Sequence, residues 1–304
     1  MKIQIYYNKN YIPFDLYINS IYNIFTTHDY FVSNNYEVSI INDIKNYSKD
    51  IDYLILYLNY VKDIFELETN NTKIIFIHAD YIINHSTHDQ MLMYNYLNKI
   101  NKDNSYIWDY NILNLKYYDE HFINKKYYFI PLQYNKYLEL IYKDFKLNIP
   151  HNAKPIDVLF MGSYGTDDRR DLILKNISKK HNIYIMNHVN DIAKYINIIE
   201  KSKIIVNIYS KEMNKPFDHY RLALLYSNKI FVVTEDFYTE DSILFDKTLK
   251  DIVIKTDYNN ISNCVTEYLS KSEEELELIR EKIYKIYKKH DMSENIIHFF
   301  TSLL

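Results

Sequence analysis

Apolar residues fall along this chain in short runs, with polar or helix-periodic stretches between them. In the first half the runs are Lys2 to Tyr7, Tyr36 to Ile41, Asp52 to Leu58, Lys73 to His78, Ser105 to Tyr110 and Tyr127 to Leu132. In the second half they are Ile156 to Met161, Asn182 to Asn187, Lys203 to Tyr209, Lys229 to Glu235 and Asp251 to Thr256. Runs of this length, rich in Ile, Val, Phe and Tyr, read as strands, and the continuously apolar ones read as strands buried on both faces. Helical segments are expected at Arg169 to Lys180, Asn190 to Ser202 and Phe217 to Ser227. Strands and helices alternating in this way predict an α/β fold class with parallel sheets.

Toward the carboxyl end, Ser272 with Glu275 and Asp291 with Glu294 have the spacing of two capping boxes, which predicts two consecutive helices. The second, ENIIHFFTSLL, is apolar enough to need a surface to pack on. The segment Leu147 to Pro155 holds two of the five prolines and lacks periodicity, so it reads as a connector. With 304 residues, the chain divides into two expected α/β domains, 1–150 and 151–304.

Composition narrows the function classes. The formal net charge is −4 with lysines dispersed along the chain, which argues against general nucleic-acid binding. Cys264 is the single cysteine, which excludes an internal disulfide and a cysteine-based zinc cluster and favours a reducing, cytoplasmic setting. No apolar run approaches the roughly 18 residues of a membrane span, and the amino terminus does not read as a signal peptide. Only two glycines occur, against 34 tyrosines, a bias expected of a very AT-rich genome. Asparagine is then expected to serve turns where glycine is usual, because it tolerates the left-handed region best among the remaining residues.

Both glycines, Gly162 and Gly165, lie in MGSYGTDDRR, directly after an apolar run. Strand, Gly-Ser turn and basic helix start is how α/β proteins build a phosphate-binding corner, although two glycines after a strand also make a plain tight turn. The chain has 32 lysines and four arginines, and three of the arginines, Arg169, Arg170 and Arg221, fall close to such motifs. A guanidinium can bind two phosphate oxygens together, whereas an ammonium is a point charge.

Three blocks in order, DVLFMGSYGTDDRRDLIL, KIIVNIYS and KPFDHYRLALLYSNKIFVVTED, give the second half a resemblance to the nucleotide-sugar-binding domain of GT-B glycosyltransferases. The likeness is strongest to the small bacterial and giant-virus members related to spore-maturation glycosyltransferase-like proteins. It implies two Rossmann-like domains facing a cleft, with carboxyl-terminal helices crossing back to the first domain. It also implies metal-independent transfer of a sugar from a nucleotide-sugar donor, UDP- or GDP-linked, to a hydroxyl of a glycan, protein or small molecule, with no other cofactor. A viral member would act in the host cytoplasm. The family form has glutamate where Asp218 stands.

On this resemblance the donor-binding candidates are Gly162, Ser163, Arg169, Tyr209, Lys215, Asp218, Arg221, Thr234 and Glu235. Gly162, Ser163 and the helix start offer backbone N–H groups and Arg221 a fixed cation for the leaving diphosphate. Arg169 and Arg170 point to different sides of a helix, so one of them at most is expected at the ligand. Asp218 can accept from ribose or sugar hydroxyls, or cap the helix of Arg221 and pair with it. Glu235, at a strand's carboxyl end, can hold ribose hydroxyls or cap the next segment. His78, Asp80 and Asp109 are candidates for the acceptor-side base of an inverting enzyme. The spacing of His78, Asp80, His85 and His88 matches no zinc helix motif. Two rival readings stay open: a non-catalytic Rossmann-like module that binds nucleotide or protein, and a nucleotide-sugar epimerase.

Overall fold

The computed structural model describes residues 1–8, 12–57, 71–78, 104–111, 114, 126–139, 149–162, 168–187, 191–210, 212, 215, 217–237 and 252–303. It divides into two compact units, Met1–Leu132 with Asp291–Leu304, and Gln133–His290. Each is built on one parallel sheet, and each apolar run of the sequence contributes one strand.

The strands of the first unit are β1 (Lys2–Tyr6), β2 (Glu37–Ile41), β3 (Tyr53–Tyr57), β4 (Lys73–His78), β5 (Ser105–Asp109) and β6 (Lys126–Phe129), in the order β2-β1-β3-β4-β5-β6. Every neighbouring pair is parallel. The interior strands β3 and β5 are buried at every residue, whereas the edge strands β2 and β6 are partly exposed throughout. That is why the interior runs are continuously apolar and the edge runs are not. Helices α1 (Ile12–Thr27) and α2 (Asp29–Ser33) follow β1.

In the second unit the strands are β7 (Ile156–Met161), β8 (Ile183–Met186), β9 (Ser202–Asn207), β10 (Val232–Glu235) and β11 (Ile254–Thr256), all parallel, in the order β11-β10-β9-β7-β8. The described helices are α3 (Asp168–Ser178), α4 (Ile192–Glu200), α5 (His219–Ser227), α6 (Ile261–Leu269) and α7 (Glu273–Tyr287), and α8 (Met292–Ser302) closes the chain. Leu174 and Ile177 of α3, Ile261 and Val265 of α6 and Leu276 of α7 complete a core with Val158, Phe160, Ile204 and Val206 of the sheet. Among the described helices none is long and apolar enough to cross a membrane.

The two terminal helices part company. Helix α7 begins with the expected capping box, Ser272 bonding the Glu275 amide and Glu275 returning to the Ser272 amide. It stays with the second unit, where Tyr287 meets Tyr226 of α5 and Tyr284 and Lys288 both reach the Glu139 carboxylate. Helix α8 is capped by Asp291 through the Ser293 amide (2.8 Å) and packs on the first unit. Its Phe299 and Phe300 stand edge-on to Trp108 of β5, with centroids 5.1 and 6.4 Å away, and Phe300 also meets Phe25 of α1 and Phe31 of α2.

Few glycines means that other residues take the left-handed turns. Asn35 does so at φ 54°, as expected of asparagine. At the end of α5, however, Lys229 rather than Asn228 has the positive φ, 56°, because Asn228 is used as the cap and its side chain bonds the Leu224 and Leu138 carbonyls.

Candidate functional site

In the second unit β8 lies on one side of β7 and β9 on the other, so the chain reverses its direction of travel across the sheet between β7 and β9. A crevice opens outside the carboxyl ends of two strands at such a switch point. The residues that leave these strands are Gly162, after β7, and Ile208 and Tyr209, after β9.

Gly162 has φ 155°, a conformation that residues with a Cβ rarely adopt. A methyl group there would lie 3.2 Å from the Phe160 ring and 3.8 Å from the Arg221 Nη2. The positive φ and the Phe160 ring are what call for a glycine here, and the Arg221 guanidinium lies beside it at ordinary contact distance. The glycine does not supply the backbone donor expected of it, because its own N–H is spent on the Met186 carbonyl of β8 at 3.1 Å. Ser163 and Gly165 lie outside the described residues.

Arg221 sits in the first turn of α5, and three other residues fix it. Asp218 is the N-cap, accepting from the Arg221 amide at 3.1 Å through one oxygen and facing its guanidinium at 3.2 Å with the other. Both of the roles that sequence left open beside ribose binding are filled by one carboxylate. Arg221 also donates to Asn207 Oδ1, and Asn207 Nδ2 donates to Thr234 Oγ1 at 3.1 Å. Thr234 is fully buried, so it acts through Asn207 on Arg221. No motif marks Asn207; its one sign in the sequence is that it is the only amide in the run KIIVNIY.

Glu235 ends β10 with no exposed surface. Arg169 grips both its oxygens, Nη1 at 2.7 Å from Oε2 and Nη2 on Oε1. Lys215 Nζ stands 2.7 Å from Oε1, and the Tyr209 amide donates to Oε2 at 3.1 Å. Burial by itself would raise this acid's pKa, but the donors from Arg169, Lys215 and Tyr209 outweigh it and leave the value lowered. Arg169 also donates to the Tyr209 carbonyl at 2.7 Å and lies over the Tyr258 ring, 4.1 Å from its centroid. Tyr258, far along the chain, carries no sequence signal for this contact.

Arg170 does not point away from this corner as helical spacing implied. Its Nε donates to the Ile208 carbonyl at 3.0 Å and its guanidinium lies over Phe160, so consecutive arginines both hold the 208–209 main chain. Long side chains from the first turn of a helix reach round it, which a helical-wheel argument from Cβ directions overlooks. Tyr209 itself is buried, and burial first, then the Asp218 charge, pushes its phenol well above the ordinary range. Arg169 and Lys215 thus hold Glu235 and Arg221 pairs with Asp218, with Glu212 in electrostatic reach of Arg169.

In the first unit His78 and Asp109 are register partners at the carboxyl ends of β4 and β5. His78 Nδ1 lies 2.8 Å from Asp109 Oδ2, so the two candidates for one role form a single pair. Asn114 Nδ2 donates to the same oxygen at 2.9 Å and the Asn111 amide to Oδ1 at 2.7 Å. His78 is 1% exposed and Asp109 0%. Asp80, His85 and His88 lie outside the described residues.

No family profile matches the chain, and no curated protein matches it by sequence. Solved structures do match it by fold. An alpha1,3-fucosyltransferase with GDP superposes with a TM-score of 0.52 at 12% identity over 99% of this chain and 89% of that one. UGT73P12 of Glycyrrhiza uralensis, complexed with glycyrrhetinic acid 3-O-monoglucuronide, gives 0.49 at 8% identity over 100% and 95%. A UDP-glucosyltransferase from Polygonum tinctorium gives 0.43 at 10% identity. The chain has the GT-B fold, two Rossmann-like domains.

Proposed function

We propose that the protein is a glycosyltransferase that binds a nucleotide sugar at the carboxyl ends of β7 and β9 and transfers the sugar to a hydroxyl acceptor. The observation that carries this reading is the approach of the Arg221 guanidinium to the Gly162 main chain at the switch point of the second sheet. A UDP- or GDP-linked donor presents a pyrophosphate, and Arg221 can bind two of its oxygens while Lys215 and the arginines of α3 add positive potential. In the transfer the acceptor oxygen forms a bond to the anomeric carbon as that carbon's bond to the phosphate oxygen breaks. The bonding pair and its charge go to the departing nucleoside diphosphate, which the fixed cations stabilise without a metal ion.

In a direct displacement the acceptor proton goes to a base, here assigned to His78. With Nδ1–H donated to Asp109, Nε2 is the basic nitrogen of the ring. The depth of the pair favours a second reading for it, in which His78 and Asp109 only tie β4 to β5 and the chain binds nucleotide without transferring sugar. Asp109→Asn separates the two. A catalytic pair loses about 100-fold or more in transfer rate with the fold and donor affinity retained, whereas a structural pair loses stability and leaves the rate of the folded enzyme unchanged.

Calorimetry with a panel of nucleoside diphosphates and nucleotide sugars tests the donor site. One member binds, and Arg221→Ala weakens it by about 10- to 100-fold. Absence of binding by every member overturns the reading. Slow hydrolysis of the bound donor, or transfer to an added acceptor, then distinguishes a transferase from a binding module.

A further inference from the structure

Glu235 occupies the place where a ribose-binding carboxylate is expected, yet its surroundings give it different work. A carboxylate has about four lone-pair positions. Those of Glu235 receive the two arms of Arg169, the Lys215 ammonium and the Tyr209 amide, with no part of the residue exposed. A ribose hydroxyl would have to displace one of these donors. Displacing either cation would leave a buried charge short of its partner.

We infer that Glu235 is a positioning residue rather than a ribose ligand: it is the internal counter-ion that fixes Lys215 and the 208–209 turn in place beside the donor's phosphates. The inference rests on the donor-site reading above. Three bonds converge on that turn, from Arg169 to the Tyr209 carbonyl, from Arg170 to the Ile208 carbonyl and from the Tyr209 amide to Glu235. Lys215 comes from the stretch before α5, and its ammonium is anchored by the Glu235 contact with only 16% of the side chain exposed. Without the carboxylate, two cations of the cluster repel each other and Lys215 swings into solvent. The buried cluster therefore sets the geometry of the positive potential, and Arg221, held separately by Asp218 and Asn207, is the guanidinium that meets phosphate.

The consequence is a specificity that depends on phosphate and not on the ribose diol at this position. Glu235→Gln keeps the size but turns an amide N–H₂ toward Arg169 or Lys215, donor against donor. The test measures binding of a nucleoside, its diphosphate and the 2′,3′-dideoxy diphosphate to the wild type and to Glu235→Gln by calorimetry. The diphosphate is expected to weaken about tenfold in the variant, the nucleoside less than about twofold, and the ratio of dideoxy to ribo affinity to stay within about twofold of the wild-type ratio. Collapse of that ratio toward one in the variant makes Glu235 a ribose ligand and overturns the inference alone. Unchanged or tighter diphosphate binding, or equal losses for nucleoside and diphosphate, overturns it in favour of a purely structural role. If the wild type binds no diphosphate, the donor-site reading fails and this inference with it. Where Gln impairs folding, Glu235→Asp keeps the charge while withdrawing it from Lys215, and the same three ligands, with the same affinity ratios, decide between the two roles.

Discussion

Arg221 illustrates how little of a functional side chain's position is set by the residue itself. Its motif neighbour Asp218 caps the helix and pairs with it at i−3, both readable from sequence, but the amide that orients the guanidinium comes from the end of β9 and that amide's own partner from β10. The same holds for the ionisable residues outside the site. His151, within the second unit, is buried, with Nδ1 3.1 Å from the Arg280 guanidinium, at a cavity of about 220 Å³. Burial first and Arg280 second lower its pKa from 6.5 to about 4. The unfolded chain therefore binds this proton more readily than the folded one. The contribution of the neutral ring is intact above pH 6.5 and is lost as pH falls from 6.5 to about 4. Urea titrations at pH 7 and pH 4.5 are expected to differ less for His151→Gln than for the wild type, by about 2 kcal/mol.

At the level of elements, the apolar runs marked every described strand of both sheets, most plainly the interior ones, because a strand buried on two faces leaves an uninterrupted apolar signature. The turns were less legible. The glycine after β7 marked a special backbone position, and φ 155° is one, but its N–H is spent on the Met186 carbonyl and the space a side chain would need is taken by the Phe160 ring. Gly162→Ala is expected to destabilise the protein by about 1–3 kcal/mol, read from denaturant midpoints, through the strained φ and the Phe160 ring 3.2 Å from the added methyl. An Arg-Arg pair at a helix start gave no hint that both side chains would close on one turn. Main-chain carbonyls carry no sequence signature, and here two of them, of Ile208 and Tyr209, are the partners.

For the whole molecule, the last helix matters most, because it returns to the first unit and supplies the rings that cover Trp108 and Phe31. Phe300→Ala removes a fully buried ring and is expected to cost about 3–5 kcal/mol, measured by thermal or chemical unfolding. Because the donor-site candidates belong to the other unit, the folded variant is expected to keep its nucleoside diphosphate affinity, which calorimetry below the transition checks. The α/β class, the positions of the strands, the caps of α5 and α7 and the stretches in which chemically able residues lie were all legible in the amino-acid order. These are matters of local pattern, since periodicity and capping act within a few residues of chain. It took the packing of the folded chain to make Asp109 the partner of His78 and not its competitor, and to fill Glu235's oxygens with Arg169, Lys215 and the Tyr209 amide. Both outcomes depend on which strands become neighbours and on the donors that long side chains bring from elsewhere, distances that no window of sequence contains.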